Sequence, residues 1–127
     1  MEKTPPVMNI ESDRRIIEEI DDGYWEVDLS GRVTFFNNAL SRMTGIPAEE
    51  LTGMDCRACI SPETARKLLA VCKEVYRTGT PASLVDVGIV KKDGVGATLE
   101  LSVSLMTDTA GKPVGFRGVS RDRKSVV

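Results

Sequence analysis

Residues 97–105 read Ala-Thr-Leu-Glu-Leu-Ser-Val-Ser-Leu, which is the strongest strand pattern in the chain. Apolar and polar residues alternate along its whole length. A period of two places successive side chains on opposite faces of a β-strand, so one face of this strand is apolar and the other is polar. That pattern is typical of an antiparallel sheet that is covered on one side and meets water on the other.

Weaker strand patterns lie on both sides of this segment. Residues 85–89 show the same alternation, and Lys92-Asp93-Gly94 predicts the turn between the two strands. After the segment, residues 108–112 predict a polar turn and residues 114–120 predict a last strand. These elements together predict a run of three antiparallel strands at the C-terminal end of the chain.

A hairpin pattern stands nearer the N-terminus. Residues 24–28 and 32–36 are short and rich in aromatic and β-branched residues, which favours strands. The intervening Asp28-Leu29-Ser30-Gly31 predicts a tight turn in which the glycine can adopt a positive φ. Two further strands are therefore expected before the middle of the chain.

The middle of the chain has helical patterns. Asn37-Asn38 can cap a short helix that Gly45 ends, and residues 47–51 predict another short turn. The clearest helix begins at Ser61-Pro62-Glu63, which supplies an N-cap, a proline at the first helical position and an early acid, and it ends at Gly79. Its apolar stripe, which we expect to be buried, comprises Ala65, Leu68, Leu69, Cys72, Val75 and Tyr76.

The N-terminal region has a thinner pattern. Residues 1–11 predict a flexible tail, and Ile16, Ile17 and Ile20 predict a short amphipathic helix over residues 12–22. Three apolar residues cannot hold a lone helix in water. We therefore expect this helix either to cap the outer side of the sheet or to pair with a second subunit.

The order of these elements predicts the domain organisation. Strands joined by tight turns, with helices between two groups of strands, indicate the α+β class: an antiparallel sheet with helices packed on one face. The domain is expected over residues 23–122, and residues 123–127 are expected to begin a linker.

Composition excludes several function classes. The 127 residues suit one domain, and 17 basic against 19 acidic residues give a net charge of -2, which offers no general attraction to nucleic acid or to an anionic membrane. The chain has no histidine, which excludes the Ser-His-Asp triad, a His-ligated haem and most catalytic zinc sites. Three cysteines and no apolar run of roughly 20 residues favour a cytoplasmic location, although the parent protein can still be membrane-anchored.

Several short motifs, taken in order, resemble the PAS domain, the sensory box of bacterial and archaeal signal-transduction proteins. The similar segments are the hairpin at residues 28–33, the helix at residues 37–46, the turns at 47–53, 91–94 and 108–114, and the exit at 118–122. The match covers residues 14–122. The resemblance implies a five-stranded antiparallel sheet in spatial order 2-1-5-4-3, with the helices over one face.

The segment Cys56-Arg57-Ala58-Cys59 has the C-x-x-C spacing of redox pairs and of half a zinc site. Only Cys72 remains as a further soft ligand, so we expect ordinary buried or half-buried cysteines and no metal site. Residues 53–64 also resemble the flavin-binding LOV branch of the family, whose cysteine attacks photoexcited flavin. That branch holds flavin with Asn and Gln side chains, and the matching positions here are Asp55, Ile60, Ile89, Leu99 and Ser120, so we expect neither flavin nor haem.

The resemblance implies a non-catalytic sensory or regulatory module, most often in a two-component sensor histidine kinase, that senses a small ligand or relays signals through dimerisation. The alternatives are a LOV-like flavin or redox sensor that uses Cys56, and a PAS module of a transcriptional regulator or of a cyclic-dinucleotide enzyme. The expected partners are the output domain of the parent protein and a second copy that pairs through Ile16, Ile17 and Ile20, without contact to nucleic acid or membrane.

The apolar faces of the predicted sheet and of the long helix are most simply a core. Part of the space between them can also be a small apolar cavity with one or two polar contacts, suited to a small apolar metabolite. The candidate pocket residues are Phe36, Asn37, Met43, Cys56, Arg57, Leu68, Leu69, Cys72, Val87, Ile89, Leu99, Leu101 and Ser120.

Overall fold

The computed structural model describes residues 22–90 and 96–122, and a single antiparallel sheet organises them. The sheet runs in the spatial order β2-β1-β5-β4-β3, which confirms the predicted order. The strands are β1 (Gly23–Asp28), β2 (Val33–Phe36), β3 (Ala82–Val90), β4 (Gly96–Thr107) and β5 (Pro113–Asp122).

The helices within residues 22–90 and 96–122 lie in the connection between β2 and β3. They are α1 (Asn38–Thr44), α2 (Ala48–Leu51), a 3₁₀ helix (Cys56–Cys59) and α3 (Pro62–Thr78). Among these residues, no helix is both long and apolar enough to cross a membrane.

Local sequence signals set the helix ends, as predicted. The Asn37 side chain accepts a hydrogen bond from the Leu40 backbone N–H and caps α1, and the Ser61 side chain caps α3. Gly45 and Gly79 end these helices at φ values of 73° and 74°, in the left-handed region that favours glycine.

Some predicted elements lie outside the described residues. These are the N-terminal tail, all of the predicted flanking helix except Asp22, the Lys92-Asp93-Gly94 turn and the linker from residue 123. The dimer candidates Ile16, Ile17 and Ile20 therefore remain predictions.

The inner face of the sheet and the helices bury two neighbouring clusters of side chains. Leu68 of α3 packs against both clusters. The first cluster comprises Trp25, Val27, Val33, Leu40, Leu51, Val75, Val103 and Phe116. The second comprises Val87, Ile89, Leu99 and Leu101.

The predicted alternation of β3 is interrupted by a bulge. Leu84 pairs with Leu101 and Val87 pairs with Leu99, so β3 advances three residues while β4 advances two. Leu84 consequently packs against the second cluster together with Val87. Strict alternation predicts opposite faces for these two residues, because a bulge leaves no signature in the polarity pattern.

Candidate functional site

A cavity of about 90 Å³ lies between the inner face of the sheet and the helices. We call it the core cavity. Its wall is built largely of apolar side chains from all five strands, and it adjoins both clusters of the core. Seven of the predicted pocket residues line it: Cys56, Leu68, Val87, Ile89, Leu99, Leu101 and Ser120.

Ser120 on β5 supplies the buried hydroxyl of the core cavity. It is 3% exposed, and its Oγ accepts a hydrogen bond of 3.0 Å from Trp25 Nε1. Thr44 also lines the cavity, but its hydroxyl already donates to the Leu40 carbonyl at 2.9 Å. Within residues 22–90 and 96–122 the Ser120 hydroxyl donates to no acceptor, so its proton is available to a molecule in the cavity.

A glycine in β5 determines the position of the Trp25 ring. Gly118 pairs with Trp25 across the two strands. A Cβ atom at position 118 would lie 2.4 Å from Trp25 Cζ2 and 2.1 Å from the Ser102 carbonyl oxygen, distances that side chains do not adopt. The absent side chain therefore lets the indole lie close to β5 and reach Ser120.

Asn37, which the sequence predicts as a pocket residue, does not line the core cavity and has a structural role. It is 1% exposed, and its Oδ1 accepts from the backbone N–H of Tyr24 at 2.9 Å and of Leu40 at 3.1 Å. Its Nδ2 donates to the Asp22 carbonyl at 3.0 Å. The side chain thus joins the start of β1 to the start of α1.

Arg57 also lies away from the core cavity. Its guanidinium pairs with the Asp55 carboxylate through Nε at 2.9 Å and through the terminal nitrogen at 2.6 Å, and its side chain is 60% exposed. These hydrogen bonds hold the pKa of Asp55 well below its usual range. At the start of the 3₁₀ helix, the Arg57 guanidinium lies along the surface. The spacing of residues in the sequence does not reveal this orientation.

The prediction that Leu69 belongs to the core is wrong, because half of it (50%) is exposed. Leu68 and Val75 define the side of α3 that packs on the sheet. One residue further on is a turn of about 100° around a helix, which carries Leu69 to the edge of the stripe. Tyr76, seven residues later on the same side, is likewise 51% exposed.

Three other predicted pocket residues pack beside the core cavity without lining it. Phe36 and Cys72 pack against the first cluster, and Met43 packs against the second. Phe36 lies on the edge strand β2, Met43 lies on α1 and Cys72 lies on α3. These side chains therefore contact the core clusters without facing the cavity.

The two cysteines with described side chains, Cys56 and Cys72, are half-buried thiols. Burial raises the pKa of the Cys72 thiol to about 11, so this thiol is protonated at neutral pH. Cys56 begins the 3₁₀ helix and lines the core cavity. In the part of the chain that the structure describes, no group of three or more His, Cys, Asp or Glu side chains could hold a metal ion.

Sequence reasoning missed half of the cavity wall. The missed residues come from five different elements or loops, and each is an apolar residue or a threonine that sequence alone assigns to the core. A tryptophan opposite a glycine in a neighbouring strand is the one signal that could have drawn attention to Trp25. The missed lining residues are Trp25, Val27, Val33, Leu40, Thr44, Leu51 and Ile60.

Solved structures share this fold at low sequence identity. The PAS domain of a Colwellia psychrerythraea protein aligns with a TM-score of 0.80 at 16% identity, covering 89% of this chain and 95% of that chain. An RNA-binding light-oxygen-voltage receptor aligns with a TM-score of 0.76 at 17% identity, covering 96% of this chain and 36% of that one. A domain of a sensory box sensor histidine kinase/response regulator from Geobacter sulfurreducens aligns with a TM-score of 0.71 at 22% identity, covering 89% and 93%.

A search of curated protein sequences found no significant match. The family model described as the PAS fold matches residues 11–123, which is most of the chain. Together with the predicted strand order, which the structure confirms, this match shows that the chain belongs to the PAS fold family.

Proposed function

We propose that this chain is a non-catalytic sensory module that binds a small, neutral, mostly apolar metabolite in the core cavity. The observation that carries the proposal is the Ser120 hydroxyl, which is buried in an apolar wall and accepts from Trp25, while it donates to no acceptor among the described residues. A ligand with one hydrogen-bond acceptor would satisfy the hydroxyl proton, and its apolar body would fill the remaining space.

The volume of the core cavity limits the ligand to a compact molecule. The cavity measures about 90 Å³, whereas an engineered protein cavity that takes benzene has roughly 150 Å³. A charged ligand would lose its hydration without gaining a buried counter-ion from this wall. The proposed ligand is therefore smaller than a sugar or a nucleotide and has no net charge.

The position of Ser120 supports a role in transmitting the signal. Ser120 on β5 pairs with Gly23, the first residue of β1. Beside this pair, Arg121 forms an ion pair of 3.2 Å with Asp22. The contact proposed for the ligand thus lies where the N-terminal and C-terminal segments join the sheet, so a small shift there would reach both.

We further propose that the module acts in the cytoplasm as a homodimer through Ile16, Ile17 and Ile20, and regulates the output domain of a longer signalling protein. A sensor histidine kinase is the output that we favour. The low and odd number of cysteines, three in the chain, supports the location, and the net charge of -2 supports an assembly without nucleic acid or membrane.

The proposed ligand class can be tested with two probes of equal size. Cyclopentanone has a carbonyl acceptor and methylcyclopentane does not, so the Ser120 hydroxyl should favour the ketone. We expect saturable changes in Trp25 fluorescence with both probes and a lower dissociation constant for cyclopentanone. In Ser120→Ala we expect the two dissociation constants to become similar. Absence of a saturable response to both probes would contradict the proposal.

A LOV-like or redox sensor is the second candidate, because Cys56 lines the core cavity. Against it, Ile89 and Leu99 are 6% and 3% exposed in an apolar wall, where a flavin ring would need hydrogen-bonding partners. An absorption spectrum of the purified protein before and after blue light separates the candidates. A stoichiometric flavin band that bleaches in light would favour this second function over the metabolite sensor.

A further inference from the structure

Three apolar spaces succeed one another between the core and the surface. The first is the core cavity. The second, which we call the middle cleft, measures about 110 Å³ and includes Ala65 and Arg57 in its lining. The third, which we call the surface groove, measures about 390 Å³ and is lined by residues that include Leu29, Leu69 and Tyr76.

Each space shares walls with the next. The core cavity and the middle cleft have Trp25, Val27, Cys56 and Leu68 in common. The middle cleft and the surface groove share another set: Leu29, Leu69, Cys72 and Phe116. A molecule moving from the groove to the core cavity would therefore meet side chains at each boundary, and the backbone hydrogen bonds of the sheet would stay intact.

The outer end of this series gathers exposed apolar side chains around one charged residue, Lys73. Four large hydrophobic side chains are exposed among the described residues, and three of them, Leu29, Leu69 and Tyr76, line the surface groove. Scattered apolar residues are normal on a surface, but their convergence on one groove marks a place where apolar molecules adsorb.

We propose that this series is the passage by which the ligand of the core cavity enters and leaves, with Leu68 as the side chain that separates the core cavity from the middle cleft. The inference rests on the proposed function, since it describes access to the same site. Leu68 is only partly buried and packs against both core clusters, so a rotamer change there connects the two spaces. Arg57 lines the middle cleft and Lys73 lines the surface groove, whereas the wall of the core cavity has no charged residue, so the inner end of the passage favours neutral molecules over ions.

The single tryptophan of the chain makes the passage measurable without any ligand. Trp25 lines both the core cavity and the middle cleft and is 9% exposed. Acrylamide is a small neutral quencher that must approach this ring to quench its fluorescence.

The decisive comparison is between Leu68→Ala and Leu99→Ala, after circular dichroism has shown that both variants are folded. Both remove the same atoms from the wall of the core cavity, but only Leu68 also lines the middle cleft. We expect acrylamide quenching to rise about twofold or more in Leu68→Ala and to stay near wild type in Leu99→Ala. Equal rises in both variants would mean general loosening and would overturn the proposed passage.

A second pair tests the passage by filling it, which avoids the loss of a core side chain. Ala65 lines the middle cleft, whereas Ala70 on the same helix is exposed. We expect Ala65→Met to reduce quenching and Ala70→Met to leave it unchanged; unchanged quenching in Ala65→Met would contradict the passage. The two proposals can fail separately. A negative quenching result would not change the measured binding of cyclopentanone, and absence of cyclopentanone binding would not change the measured quenching.

Discussion

At the scale of single residues, the contact between Trp25, Gly118 and Ser120 joins the fold to the candidate site. The indole occupies the space that a side chain at position 118 would take, and it donates its N–H to Ser120 at the cavity wall. A strand glycine is ordinarily a weak point because it has no side chain to pack. Here its missing Cβ is the condition for the buried hydrogen bond.

The first prediction follows from this contact. Gly118→Ala places a methyl group 2.4 Å from the Trp25 ring and 2.1 Å from the Ser102 carbonyl oxygen, so ring or strand must move. We expect a loss of about 3 kcal/mol in the free energy of unfolding, measured by urea denaturation. The matched control is Gly88→Ala on β3, where a Cβ meets nothing within 4 Å. Similar losses in the two variants would contradict the role of Gly118.

At the scale of secondary-structure elements, α3 is the element whose orientation determines both the core and the site. Leu68 packs against both core clusters, and Val75 is completely buried, with 0% exposure. Leu69 and Tyr76 lie at the edge of the same stripe and are half exposed. The apolar stripe of α3 thus contributes Leu68 and Val75 to the core. The edge of the same stripe contributes Leu69 and Tyr76 to the wall of the surface groove.

The second prediction separates these two sides of α3. Leu68→Ala removes side-chain contacts with both clusters, and we expect it to lower the free energy of unfolding by about 2–3 kcal/mol. Leu69→Ala removes a side chain that is 50% exposed, and we expect a loss of about 0.5 kcal/mol or less. Chemical denaturation of both variants decides the point, and a larger loss for Leu69→Ala would reverse the assigned orientation of α3.

At the scale of the whole molecule, two weakly acidic side chains, the Cys72 thiol and the Tyr24 phenol, make the free energy of unfolding depend on pH in the alkaline range. Burial raises the pKa of the Cys72 thiol to about 11, and burial with a hydrogen bond to Glu26 raises the pKa of the Tyr24 phenol to about 12. Their ordinary values are 9.0 and 10.0, so the unfolded chain loses these protons first as pH rises. Stability is therefore fully present below about pH 9 and is lost between about pH 9 and 12.

The third prediction puts a magnitude on that loss. The free energy of unfolding should fall by on the order of 2–4 kcal/mol between pH 8 and the upper end of this range, as measured by urea denaturation. The double variant Cys72→Ala with Tyr24→Phe removes both ionisable groups and should flatten the dependence. An equally steep decline in the double variant would show that other groups are responsible.

The fourth prediction concerns association. The predicted N-terminal helix has only Ile16, Ile17 and Ile20 as its apolar residues, which are too few to stabilise a lone helix, so we expect weak dimerisation at high protein concentration. Ile17→Glu should shift sedimentation velocity profiles towards the monomer, whereas Lys3→Glu in the predicted tail should leave them unchanged. A wild-type protein that stays monomeric at every concentration would contradict the proposed dimer.

Local patterns in the sequence were sufficient for the five strands, for α1 and α3, and for the order of these elements along the chain. Asn37 and Ser61 start helices and Gly45 and Gly79 end them, because capping and positive φ are satisfied within a few residues of the chain. The alternation of residues 97–105 likewise assigned one face of β4 to the core. The family resemblance then supplied the spatial order of the strands, which the structure confirms.

The site depends on distances between residues that are far apart in the chain. These distances are set by the tertiary structure and leave no pattern in the sequence. Trp25 and Ser120 are 95 positions apart, and their hydrogen bond exists because β1 pairs with β5 opposite a glycine. The bulge before Val87 and the exposure of Leu69 on α3 are likewise features that the polarity pattern does not contain. Polarity along the chain distinguishes buried residues from exposed ones, but a cavity wall and a packed core have the same polarity, and only their spacing in three dimensions separates them.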